Sequence, residues 1–311
     1  MTFMKFSLTL ILSCLIIFIS SCSMSQKQDF VKPDINLKIE TTNKNKEIII
    51  QSLLENRSVF SVNFNDEDSY FLEDNILNSD LKYFCKSLIE EEREVLEKNI
   101  FINKNEVNKK VFVIFSENYM DIASLLKNKY PEEEYLMIKS GDFDSQVKKI
   151  LTVDLSESNY DDLVKFDKSL EVSHSPRIRN DIAKIYYLTN YDIGKTIVPI
   201  FRTYALNIDT FSSSEIFHDA NDIKKLVDFE NMYIPITKKM IENISKKQDV
   251  LIINEIEKTL ITDFLIIEKI NQNNLFRENL LPDSGNRKIK RNGCIDRDLN
   301  LWKVSTTAFT D

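Results

Sequence analysis

Glycine is scarce in this sequence: Gly141, Gly194, Gly285 and Gly293 are the four in 311 residues. A phosphate-cradling loop needs several glycines at close spacing, and none can be written from these. Histidine is scarcer, with His174 and His218 alone and far apart. Structural zinc needs about four converging ligands, and there is no Cys-x-x-Cys pair or Cys/His cluster, so neither a metal nor a cofactor is expected. No Gly-x-Ser-x-Gly elbow presents a serine nucleophile. A Ser/His/Asp triad can be drawn through either histidine, but so few candidates make chance pairing easy to overvalue. The chain therefore reads as non-enzymatic. Basic charge is in deficit, 41 Lys and Arg against 49 Asp and Glu, a net charge of −8. Nucleic-acid binding draws on concentrated positive charge, so that class is set aside. The acidic run Glu90 to Glu94 reads as a solvated helix face. Asp161-Asp162 and Glu132 to Glu134 read as helix-start carboxylates favoured by the dipole.

What is present begins at the N-terminus. Phe6 to Ile19 form an almost unbroken apolar run behind Lys5. It is short for a spanning helix, which needs roughly 20 apolar residues, and fits the h-region of a secretory signal. Ile19-Ser20-Ser21-Cys22 follows, an aliphatic residue, two small ones and cysteine. This resembles the bacterial lipobox, in which the cysteine is lipidated after cleavage before it. The expectation is a signal peptide over 1–21, a lipidated Cys22 and a membrane attachment through that lipid. Ser23, rather than aspartate, follows the cysteine; by resemblance to lipoprotein sorting rules the destination is the outer membrane, facing the periplasm. Cleavage removes Lys5 and Cys14, leaving Cys85 and Cys294. An oxidising periplasm permits a disulfide between them, but nothing in one sequence brings them near, and two separate thiols are the expectation.

Residues 22–46 are polar and read as a tether. Residues 47–109 are mixed, with helical spacing in EIIIQSLLENR and LKYFCKSLIEEEREVLEKN and strand-like alternation in VFSVNF. From Lys110 the pattern is clearer. VFVIF (111–115) is an apolar run of the kind buried on both faces, and EYLMIK, AKIYYLT and LNIDTF are further strands. Amphipathic helices alternate with them, and VLIINEIEKTLITDFLIIEKI makes a long last helix. KIKRNGCIDRDLNLWKV reads as two short strands about Asn292-Gly293. Strands alternating with 10–15-residue helices imply an α/β fold with a parallel sheet flanked by helices.

The block SPRIRNDIAKIYYLTNYDIGKTIVPIFRTYALNIDTFSSSEIF (175–217) resembles the signature of the LppC/LpoA lipoproteins. The elements carrying the likeness are Arg177, Arg179, Asp181, Ile182, the IYYLT strand, Ile197, Pro199, Phe201 and Ser212 to Ser214. DLSESNYDDL upstream, Asp263 and Phe264 in ITDFLIIEKI, and Arg297, Leu299 and Trp302 in IDRDLNLWKV extend it over roughly 110–304. The resemblance implies a type-1 periplasmic-binding-protein-like domain over 110–304, a reduced first lobe over 47–109 and a tail over 305–311. No 34-residue helical repeat is present, so the implied relative is a divergent one without the family's N-terminal repeat domain. The implied function is non-enzymatic activation of a bifunctional penicillin-binding protein, a peptidoglycan synthase, by protein contact. The alternative is a lipid-anchored receptor for a small solute such as an amino acid or peptide. In open α/β sheets ligands bind beyond strand carboxyl ends, and Ser116, Ser140, Thr189, Ser212, Ser213 and Ser214 each follow a strand. Their competing reading is ordinary helix capping. Arg177 and Arg179 are expected to pair with acids such as Asp181 and fix the loop before the strand.

Overall fold

The computed structural model describes residues 35–55, 60–65, 70–72, 75–104, 108–166, 173–246, 249–272, 279–280, 287–288, 294–305 and 309–310. The expected signal, Cys22, the first part of the tether and the Asn292-Gly293 turn lie outside these residues.

A small first sheet has β1 (Ile35–Thr41) at its centre, between β2 (Phe60–Phe64) and β3 (Tyr70–Leu72), all parallel. This corrects the tether, which does not run to residue 46. INLKIET alternates, and its Leu37 and Ile39 are buried against Ile48, Ile49 and Leu53 of α1 (Asn43–Glu55). Period 2 puts such residues on one sheet face, a signal overlooked beside the neighbouring polar residues.

The chain then forms α2 (Leu88–Glu97), preceded by turns rather than by the longer helix the periodicity suggested. Ser87 sets that start. Its Oγ accepts the Glu90 N–H while the Glu90 carboxylate accepts the Ser87 N–H, a reciprocal cap that satisfies two otherwise orphan donors.

The second sheet has seven strands: β4 (Lys110–Phe115), β5 (Glu134–Met137), β6 (Ile182–Leu188), β7 (Asp209–Ser212), β8 (Met232–Ile236), β11 (Asn300–Val304) and β12 (Phe309–Thr310). A separate pair, β9 (Asn279–Leu280) and β10 (Arg287–Lys288), is antiparallel. The order is β12-β11-β8-β7-β6-β4-β5, parallel except for β11 and β12. β11 pairs with β8, Trp302 opposite Ile234; the partner strand that the sequence suggested before Asn292 lies largely outside the described residues.

Alternation along the central strands feeds two cores. Phe112, Ile114, Ile185 and Tyr187 point to one face, and Val111, Val113, Tyr186 and Leu188 to the other. The first face is covered by α4 (Phe143–Leu151) and α6 (Tyr191–Tyr204), which pack on each other. The second is covered by Leu96 of α2, Ile100 and Phe101 of the π-turn after it, and Ala123 of α3 (Met120–Lys129). α5 (Val153–Phe166) lies outside α4. After β8 and α7 (Lys238–Ser245), α8 (Ile252–Gln272) returns to the first sheet and packs on α1. The first lobe is thus not the contiguous 47–109: it includes β1 and borrows α8, and the chain crosses between lobes three times.

Candidate functional site

Parallel strands β4, β6 and β7 end side by side, and each is followed by hydroxyl residues. The Ser116 N–H donates to the Leu188 carbonyl at 3.1 Å, joining the ends of β4 and β6. Ser116, Thr189, Ser212, Ser213 and Ser214 are all brought to this one edge, and none is more than 3% exposed. Ser140 follows the edge strand β5 and is exposed. The capping explanation fails for Thr189 and Ser140, because Asn190 caps α6 and Asp142 caps α4, while Ser116 and Ser213 stand at the starts of short 3-10 turns without a side-chain cap bond. The Ser212 hydroxyl donates to the Tyr187 carbonyl at 2.9 Å, and the Ser213 hydroxyl to Glu215 at 3.0 Å. The hydroxyls of Ser116 and Thr189 are buried without a hydrogen-bond partner.

Ser214 has the most consequential partner. Glu92 of α2 accepts its N–H at 2.8 Å and its hydroxyl at 2.7 Å. The acidic run is therefore a solvated face only in part: Glu90 and Glu94 are exposed, but Glu91 is 6% exposed and Glu92 1%. The signal was in the spacing, since Glu92 stands on the apolar stripe of Leu88, Ile89 and Leu96. Burial raises the Glu92 carboxyl to about 8, against the lowering pull of the two Ser214 bonds. The His218 Nε2 lies 3.2 Å from the Ser214 hydroxyl, and burial lowers its pKa to about 4, so the imidazole is neutral. This is not a catalytic triad: the Glu92 carboxyl accepts the serine hydroxyl's hydrogen bond itself instead of orienting the histidine, and the serine is sealed from solvent. Beside it, Arg93 faces Glu215 at 3.5 Å.

Just outside this cluster the first and third crossings are joined. Phe84 and Ile295 form a parallel bridge, with Cys85 N–H to Ile295 O at 2.9 Å and Ile295 N–H to Tyr83 O at 2.8 Å. Cys85 and Cys294 are disulfide-bonded, contrary to the expectation of separate thiols. Their 209-residue separation made the pairing illegible, and only the meeting of two crossings brings them together. Arg297 completes the junction. Its N–H and Nη1 reach Glu91 at 2.9 and 3.2 Å, Nη1 also reaches the Lys86 carbonyl at 2.9 Å, and the guanidinium lies 4.0 Å from the Phe84 ring centroid. Burial raises the Glu91 carboxyl and lowers Arg297 despite their mutual attraction. Asp263, from α8, is buried close enough to act electrostatically on Arg297. These two residues of the sequence pattern are thereby brought into one place.

The others are structural and lie apart. Arg179 binds Asp181 (2.7 and 2.6 Å) and Glu134 (3.0 and 2.9 Å) and stacks over Phe112, fixing the loop before β6 as expected. Arg177 is exposed, and its backbone N–H meets the Ser156 hydroxyl at 3.1 Å. Pro199 lies inside α6, and Trp302 in β11 has its indole N–H buried. Glu133 and Glu134 are not helix starters. Glu134 opens β5 and Glu133 accepts the Val111 N–H, while Asp161 and Asp162 lie well inside α5. A groove of about 360 Å³ runs between α1 and α8, lined by Lys44, Gln51, Glu55, Asn254 and Lys258 among others, away from the strand ends. Among the described residues no cluster of metal-ligating side chains occurs and no helix is long and apolar enough to cross a membrane.

No family model and no curated protein matches the sequence. Solved structures do. A putative branched-chain amino acid ABC transporter protein from Rhodospirillum rubrum aligns over 89% of this chain and 99% of its own, with a TM-score of 0.50 and 9% identity. Full-length LpoA from Haemophilus influenzae aligns over 88% of this chain and 47% of its own (TM-score 0.43, 10% identity). Its C-domain, described as a regulator of PBP1A, aligns over 88% and 81% (TM-score 0.44, 11% identity). The chain spans about half the length of full-length LpoA. The fold is that of the type-1 periplasmic-binding-protein-like proteins, with a parallel-dominated sheet. The likeness is one of fold, and function has to be argued from this chain's own residues.

Proposed function

We propose that this chain is a non-catalytic lipoprotein of the outer membrane that acts by protein contact, and that its partner is a bifunctional penicillin-binding protein. The observation that carries the contact reading is the Glu92–Ser214 pair. A solute's carboxylate would seek a backbone N–H and a hydroxyl at a strand carboxyl end, and here the chain's own glutamate takes both. Ser212 and Ser213 are likewise engaged internally. The choice of a synthase as partner is supported by the sequence resemblance over 110–304. The anchor is supported by the lipobox pattern ending at Cys22, and an oxidising compartment by the Cys85–Cys294 disulfide.

The receptor reading has one observation in its favour, the partnerless hydroxyls of Ser116 and Thr189. Two measurements separate the readings. The mature protein should capture a peptidoglycan synthase from solubilised envelopes, and its deletion should lower cross-linking; recovery of no synthase defeats the contact reading. A receptor would instead gain thermal stability with amino acids, peptides or muropeptides by mass action, and no shift at millimolar concentrations is expected. Cys22→Ala should move the protein out of the membrane fraction, and its persistence there after washing would show the anchor to be misassigned.

A further inference from the structure

We infer that the outward face of α5 is a docking surface for a partner polypeptide segment whose apolar residues are flanked by lysine or arginine. The inference rests on the contact reading above and says where the contact is made. α5 buries only Val153 of its 14 residues. Its rear face is fixed: Val153 enters the core with Val147 and Leu151, Ser156 accepts the Arg177 N–H, and the Tyr160 ring stacks on His174 at 4.4 Å. With the rear held, helical periodicity puts Leu155, Asn159, Asp162 and Phe166 on one outward stripe, with Leu163 at its border. Leu155, Leu163 and Phe166 are 62%, 58% and 93% exposed. Helices in proteins draw most of their stability from burying such a stripe, and this one faces solvent.

Charge selects the occupant. Asp154, Asp161 and Asp162 accompany the apolar residues, Glu157 turns to the rear where Lys148 pairs with it at 3.3 Å, and Lys165 is the helix's one basic side chain. Lys165 is paired to Asp162 at 3.2 Å, while Asp154 and Asp161 are exposed. A second copy would set carboxylates against carboxylates. An anionic membrane attracts helices rich in Lys and Arg, which this helix is not. A basic-flanked apolar segment complements both features.

The test uses the full mature protein in detergent with two probes. The first is a 14-residue amphipathic peptide with Leu and Phe on one face and Lys beside them, compared with a peptide in which Ser replaces the apolar residues. The apolar-basic peptide should protect 153–166 from hydrogen exchange. It should lose about tenfold or more in affinity against Leu155→Glu/Leu163→Glu/Phe166→Glu. Asp161→Lys should weaken binding and flatten its salt dependence, and neither variant should melt differently from the parent, since these side chains are exposed; Asp154 is left in place because it accepts the Leu155 N–H in the first turn. Equal binding of the Ser peptide, protection elsewhere, or self-association through α5 would overturn the inference. The second probe is a purified bifunctional penicillin-binding protein. If it binds the parent and the triple variant equally, the docking surface is wrong and the proposed function stands. If the peptide docks on α5 and the synthase binds neither protein, the surface stands and the proposed partner is wrong.

Discussion

Replacing Cys85 and Cys294 together by alanine removes a cross-link that closes a loop of 209 residues. Loop-closure entropy for that length sets a ceiling of about 5 kcal/mol on the stabilisation, and measured disulfides more often deliver 2–4 kcal/mol. The lower figure is the better expectation, because a denatured chain that keeps some structure loses less entropy to the cross-link, and the variant's fold keeps the junction's other ties. Those are the Tyr83, Cys85 and Ile295 backbone bonds and the Arg297 contacts to Glu91 and Lys86. At 2–4 °C per kcal/mol for a chain of this size, the melting temperature should fall by roughly 5–15 °C. Thermal unfolding of the purified mature protein measures this, and reductant should lower the parent's melting temperature and leave the variant's unchanged. Thiol titration of the denatured, unreduced parent should find Cys85 and Cys294 unreactive. A variant that melts within about 1 °C of the parent, or two titratable thiols in the parent, would refute the reasoning.

Arg297→Met strands the Glu91 carboxylate in a buried position and should cost about 3–5 kcal/mol in urea unfolding, much of it recovered in Glu91→Gln/Arg297→Met. The Glu92 carboxyl titrates at about 8 in the fold against 4.5 unfolded, so the folded state holds a proton that the unfolded state has lost. Its stabilising contribution is therefore complete below pH 4.5 and declines as pH rises towards 8; Glu92→Gln should flatten that slope in denaturation measured from pH 5 to 8, and an unchanged slope would count against the assignment. Gly194→Ala would put a Cβ 2.7 Å from Ile216 Cγ1 and 3.2 Å from Phe229, both in the core. Such overpacking should cost about 1–3 kcal/mol by chemical denaturation.

Much of the fold was legible because the interactions that make it are short in sequence. Short apolar runs marked β4 and β6, and helical spacing marked α1 and α8. β1 was missed because its Leu37 and Ile39 alternate with lysine, asparagine and glutamate beside a polar stretch. The start of α2 was read too early because residues 81–87 carry helical spacing but are held in turns by their tie to Ile295. The candidate site was half legible. The hydroxyls after the strands could be named, but their partners could not, since Glu92 is 122 residues from Ser214.

The sequence by itself determined the alternation of strands and helices, the parallel sheet, the absence of metal and nucleotide motifs, and the pattern ending at Cys22. Each depends on residue type and spacing within a few turns of chain. Tertiary structure alone decided that Glu92 is an internal partner of Ser214 rather than a surface charge, and that Cys85 meets Cys294 where the chain recrosses between lobes. It also decided that α5 turns three apolar residues to solvent. The physical reason is common to all three. Burial and pairing are properties of surfaces brought together over long separations, and no local period records which surfaces meet.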